Sequence, residues 1–327
     1  MRVVAALAAS LAVLVVAGCS SEPQSQSWTD DEVTFDADGL TVHGTYRHRG
    51  EQPGPAALLI SESGNTDRNG DNQVAGPIGN MRQLAELLSE HDVASLRYDK
   101  VGTGRTGLGP YAEDPQAVVS AVYTSGARGA AKFLLEQPGT ERLTVYGLGE
   151  GAIHAMRLAG DTAPDAPKVH SLALFQPLPG RYLDIITGRV EADGAPETVE
   201  TWRTAVEQIR TTGTVPTDLP DGLTAIVNPG NVAAVAEADR IDPLTLAAAV
   251  PAGTPVLLTC SDADSQALCS AVRPLADALR HTDLTVVELR GVNHVLRDDP
   301  TDSIANYAKK EPLSSQVVDA VAGFAAK

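Results

Sequence analysis

Short continuous apolar runs alternate with amphipathic stretches along almost the whole chain, and this alternation constrains the fold more than any other feature. Residues 56–60, 93–98, 143–146, 170–175, 255–260 and 284–289 are apolar runs of strand length, the kind that suits parallel strands buried on both faces. Among them, residues 80–91 place Met81, Leu84, Leu87 and Leu88 on one helical face. Residues 115–135, 266–280 and 314–326 also read as helices, the last with Val317, Val318, Val321 and Phe324 in line. Alternating strands and helices predict an α/β fold with a mostly parallel central sheet and helices on both faces. A hairpin of 33–35 with 40–46, turning at Asp36-Ala37-Asp38-Gly39, precedes them. Residues 177–250 interrupt the alternation with polar helical stretches such as 197–211 and 231–239, predicting a helical cap over the sheet. The expected organisation is a core formed by 32–176 and 251–327, split by a cap at 177–250.

The start of the chain carries a different signal. Met1-Arg2 is followed by an apolar run from Val3 to Val16 and then by Val16-Ala17-Gly18-Cys19. The run is too short for a spanning helix and fits a signal peptide over residues 1–18. Its last four residues resemble a bacterial lipobox. That implies a lipidated Cys19 held in the bilayer at the extracytoplasmic face of the cell membrane. Residues 19–31, rich in Ser, Gln and Glu, read as a flexible tether. The formal net charge is −17, and removal of Arg2 with the signal makes it −18. Such an acidic surface argues against nucleic acid and against a polybasic grip on lipid. Cys260 and Cys269 would lie in an oxidising compartment and are expected to form a disulfide, worth about 2–3 kcal/mol in the chain-entropy model.

The densest motif is Gly147-Leu148-Gly149-Glu150-Gly151, which sits between the apolar residues 144–146 and a helical stretch at 152–159. Strand, sharp turn and helix form the context of the G-x-S-x-G nucleophile elbow, here with glycine at the centre. Three more stretches accompany it: Ser61-Glu62-Ser63-Gly64-Asn65-Thr66-Asp67-Arg68-Asn69-Gly70, Leu96-Arg97-Tyr98-Asp99-Lys100-Val101-Gly102-Thr103-Gly104 and Gly291-Val292-Asn293-His294. On these motifs the chain from about Val33 to Lys327 resembles the α/β-hydrolase superfamily, in particular capped bacterial esterases and serine-peptidase-like members.

The resemblance implies a role for each residue. His294 corresponds to the general base and Asp264 to the acid that orients it, with Asp262 as the near alternative; the backbone N–H groups of Ser63 and Glu150 correspond to the oxyanion hole. Gly149 stands at the nucleophile position and has no side-chain atom with which to attack. Glu62 replaces a glycine usual in the family, and its carboxylate would oppose an oxyanion if it pointed inward. Ser61 and Ser63 lie on the wrong loop for attack from the elbow. The Glu150 side chain is expected along the helix start, and Asp67, Arg68, Arg97 and Asp99 in a structural charge network. No metal-binding or nucleotide motif is present, so no cofactor is implied. The expected function is a degenerate serine hydrolase whose capped pocket binds an ester-, acyl- or peptide-like ligand. Alternatives are hydrolysis by water activated by His294 and Asp264, and an adhesion or scaffold role with a protein partner. Restoring the serine as Gly149→Ser is expected to recover part of the lost activity.

Overall fold

Two antiparallel strands, β1 (Thr29–Ala37) and β2 (Leu40–His48), open the fold and turn at Asp38 and Gly39, both in the left-handed region. The computed structural model describes residues 27–224 and 226–325, so the signal, Cys19 and most of the tether lie outside the described residues. The hairpin is longer than its apolar residues predict. Strand β1 begins before the expected boundary at 32, because Asp30 pairs with Arg47 at 3.1 Å and Arg97 at 3.2 Å while the ladder runs out to Thr29 and His48. Ion pairs and main-chain bonds, which hydrophobic periodicity does not register, hold this edge strand.

The remaining elements of the first half are β3 (Gly54–Ile60), α1 (Asn80–Glu90), β4 (Ala94–Tyr98), α2 (Ser120–Leu135), β5 (Thr140–Leu148), α3 (Gly151–Ala159) and β6 (Ser171–Phe175). The insertion follows as α4 (Tyr182–Asp193), α5 (Pro196–Thr212), α6 (Asp221–Thr224), α7 (Val232–Asp239) and α8 (Pro243–Ala249). The sheet resumes with β7 (Pro255–Ser261), α9 (Cys269–Ala278), β8 (Asp283–Leu289), α10 (Ile304–Tyr307) and α11 (Ser315–Ala325). Eight strands form one sheet in the order β1-β2-β4-β3-β5-β6-β7-β8, antiparallel as far as the β2–β4 pair and parallel from β4 to β8.

Side chains alternate across each strand, so every central strand feeds two cores. Ala56, Leu58 and Ile60 of β3 pack with α2, α3, α8 and α9, whereas Ala57 and Leu59 pack with α1 and α11. Two predicted helices are shorter than expected. The stretch 115–135 holds only a single tight turn at 115–117 before Val118 and Val119 become extended, and α2 starts at Ser120. The stretch 266–280 becomes helical only at Cys269, because the Gln266 N–H is taken by Asp264 and Leu268 bridges to Ser261.

The insertion has a core of its own in Leu183, Trp202, Val206, Ile209, Leu223 and Val235, contributed by α4 to α7. Asp239 is buried there between Arg181 and Arg210, each at 2.8 Å, and also accepts the Leu183 N–H. Helix α8 packs on the sheet body instead, through Ala247, with Val250 just beyond its end. The cap core therefore ends earlier than the span 177–250 suggests. Among the described residues no helix is long and apolar enough to cross a membrane.

Candidate active site

Strand β5 ends at Leu148 and α3 begins at Gly151, so the chain reverses over Gly149 and Glu150 alone. Gly149 takes φ +54°, in the left-handed region that suits glycine. The outer glycines are demanded by close approach. A Cβ at Gly147 would lie 2.4 Å from the Gly151 backbone, and one at Gly151 would lie 2.4 Å from the Ile60 carbonyl. The elbow thus rests against the end of β3, which delivers the loop carrying Glu62 and Ser63.

Beyond β8, the loop that follows presents His294, whose N–H donates to Asp302 at 3.0 Å. Asp302 also accepts from the Ser265 N–H and hydroxyl and from the Tyr307 hydroxyl, so one carboxylate ties the histidine loop to the acid loop and to α10. Asp264 meets the histidine: its Oδ2 lies 2.8 Å from His294 Nδ1, with its side chain fully buried. Asp262 does not. It accepts the Gly291 N–H at 2.7 Å, pairs with Arg290 at 3.3 Å and leaves its side chain about half exposed. A disulfide between Cys260 and Cys269 joins the end of β7 to the start of α9 and closes the loop that carries Asp264.

The other side of His294 holds the decisive contact. Nε2 lies 2.8 Å from Glu62 Oε2, while Glu62 Oε1 accepts the Ser63 N–H at 2.6 Å and the Glu150 N–H at 3.3 Å. The two N–H groups that the resemblance assigns to an oxyanion hole thus both donate to one carboxylate. A Cβ added at Gly149 would lie only 1.4 Å from Glu62 Oε2. Glu62 thus occupies the space that a side chain at Gly149 would take and holds both N–H groups as well. Its two oxygens stand as those of a carboxylic acid product would, one in the hole and one on the histidine. Buried Lys100 fixes the loop by donating its Nζ to the Glu62 carbonyl.

The protonation states follow from this geometry. Burial pushes the Glu62 carboxyl up, but the hydrogen bond and charge of His294, with the Ser63 N–H, outweigh it and hold the group down at about 2. Burial pushes the His294 imidazole down, but the charge and hydrogen bond of Asp264 and those of Glu62 outweigh it and raise the group to about 10. At neutral pH the histidine is an imidazolium held between two carboxylates, with both ring nitrogens donating. It has no lone pair with which to accept a proton.

The remaining predicted residues serve elsewhere. The Ser61 hydroxyl is buried and donates to the Thr66 carbonyl at 3.2 Å. Arg68 pairs with Asp99 at 3.4 Å but also with Glu32 at 3.0 Å, and Arg97 pairs with Asp30. The charge network thus extends onto β1, while Asp67 turns inward on the N–H groups of Asn69 and Asp71. The Glu150 side chain makes no cap to α3 and instead lines a cavity of about 480 Å³ beneath the cap. A smaller cavity of about 180 Å³ opens onto Glu62 and His294, and Ser63 and Gln266 border both. Among the described residues no cluster of His, Cys, Asp and Glu could hold a metal ion. Sequence reasoning missed Asp302, which sits in no recognisable motif, and gave Lys100 no role although it lies within the stretch 96–104. Glu62 was visible as a departure from the family, but its inward course was not.

No protein-family model matches the chain, and no curated protein matches it. Solved structures do. An esterase of Pyrococcus furiosus superposes with a TM-score of 0.56 at 16% identity, covering 93% of each chain. The dienelactone hydrolase of Anabaena variabilis gives 0.54 at 12% identity, covering 91% of this chain and 96% of its own. A proline iminopeptidase of Mycobacterium smegmatis gives 0.55 at 16% identity, covering 90% and 98%. Esterases and a peptidase thus share one scaffold with this protein, with helices around an eight-stranded, mostly parallel sheet: the chain has the α/β-hydrolase fold.

Proposed function

We propose that this protein is a membrane-anchored, extracytoplasmic ligand-binding protein on a hydrolase scaffold whose hydrolytic site is closed by its own Glu62. One observation carries the reading: the Glu62 carboxylate spans from the hole N–H groups to His294 Nε2, across the place of the absent serine oxygen. Acyl transfer needs a nucleophile, a free hole and an unprotonated base. Glycine removes the first, and the Glu62–His294 ion pair takes the other two. The same pair argues against hydrolysis by water activated at His294 and Asp264, because a base must be able to accept a proton at working pH. The cavity beneath the cap, open beside the closed site, favours ligand binding over a purely adhesive role.

The test is hydrolysis of short acyl esters together with labelling by a fluorophosphonate probe. Wild type should show neither above the level of His294→Ala. Robust wild-type turnover that His294→Ala abolishes would overturn the reading and restore the water mechanism.

A further inference from the structure

The cavity beneath the cap does not have the electrostatics of a site for an acyl chain ending in a carboxylate or ester carbonyl. Its walls are apolar, with Ile153 from α3, Ile185 and Ile186 from α4, and Val235 and Ala238 from α7. Two carboxylates interrupt them, Glu150 on the sheet side and Glu237 on the cap side. Burial pushes the Glu150 carboxyl up, and the charges of Glu62 and Glu237 add to this, against the opposing pull of Lys100 and Arg157.

Glu150 is partly buried, and its carboxylate makes no hydrogen bond or ion pair with a described residue. Lys100 and Arg157 act on it through space without touching it, since Lys100 donates to the Glu62 carbonyl and Arg157 to the hydroxyls of Ser120 and Thr124. Neither lines the cavity, and the one cation that does, Arg189, is exposed on α4. Glu237 has one partner, the Ser120 N–H at 3.0 Å through Oε2. A carboxylate in a cavity wall with no protein donor of its own offers its oxygens to a donor from outside. Tyr123 and Tyr182 line the same space, and aromatic rings suit an ammonium.

Resting on the ligand-binding reading above, we infer that the cavity takes an amphiphilic amine, its ammonium between Glu150 and Glu237 and its hydrocarbon body against α4 and α7. Glu62 supports the choice from the other side. With both N–H groups taken by Glu62, an incoming carboxylate or ester carbonyl finds no free N–H pair beside Glu150 and Glu237.

Calorimetric titration of the full-length protein with octylammonium, octanol and octanoate separates the possibilities. Octylammonium should bind most tightly and octanoate least. Glu150→Gln and Glu237→Gln, which preserve shape, should each weaken octylammonium by about tenfold while leaving octanol unchanged. Ala238→Trp, which fills the cavity, should abolish binding of both. Octanol or octanoate binding as tightly as octylammonium, with loss in Ala238→Trp, would overturn the amine assignment and leave the binding reading standing. Unaltered octylammonium affinity in Glu150→Gln and Glu237→Gln variants that unfold at the wild-type temperature would also overturn it. Binding of no probe would count against the amine assignment and the binding reading together.

Discussion

Replacing Gly149 by serine puts a side chain where the Glu62 carboxylate already stands, 1.4 Å from its Oε2. The expectation that Gly149→Ser alone would recover activity is therefore revised. The new hydroxyl must displace a carboxylate held by three hydrogen bonds, and at φ +54° a side chain adds about 1 kcal/mol of backbone strain. Gly149→Ser should remain unlabelled by a fluorophosphonate, whereas Gly149→Ser with Glu62→Gly should gain labelling that His294→Ala removes. Labelling of the single variant as strong as that of the double would show that Glu62 is no obstacle. The ion pair also has a pH signature. Glu62, depressed to about 2, contributes stability above its ordinary 4.5 that is lost as pH falls towards 2. His294, raised to about 10, contributes stability in full below its ordinary 6.5, and that contribution is lost as pH rises through 10. Both terms overlap fully between about pH 4.5 and 6.5, so the difference in unfolding temperature between wild type and Glu62→Gln should be largest there and shrink on either side. Histidine ¹⁵N NMR should show His294 still protonated at pH 8 in wild type, and titrating lower in Glu62→Gln. A wild-type His294 midpoint near 6.5 would refute the pairing.

Among the elements, the cap and the loop bearing Asp264 each depend on a local device. Trp202 of α5 is fully buried and donates its indole N–H to Thr187 of α4 at 2.9 Å. Trp202→Ala should cost about 3–5 kcal/mol in denaturant unfolding and loosen α4 to α7 ahead of the sheet. Hydrogen exchange of those helices unchanged from wild type would contradict that. The disulfide spans a sequence separation of 9, and its loss in Cys260→Ser with Cys269→Ser should cost about 2–3 kcal/mol by chain entropy. The order of elements was legible from apolar periodicity, because each central strand supplies two cores and has no polar face. The edges were less so. Strand β1 is held by ion pairs to Asp30 and Glu32, and the late starts of α2 and α9 are set by extended backbone that the surrounding structure fixes.

For the whole molecule, the apolar run ending at Cys19 predicts partition with membranes, and Cys19→Ser should release the protein into the soluble fraction. Unchanged fractionation would remove the anchor from the proposal. By itself the sequence determined the α/β class, the order of the site motifs and the lack of any side chain at Gly149, since each follows from local periodicity or from which atoms a side chain owns. The choice of Asp264 over Asp262 needed the tertiary structure, as both lie in one short loop and only direction separates them. So did the closure of the site. Glu62, Glu150 and His294 come from three loops far apart in the chain, and whether a carboxylate plugs the hole or faces solvent depends on distances that only the packed sheet sets.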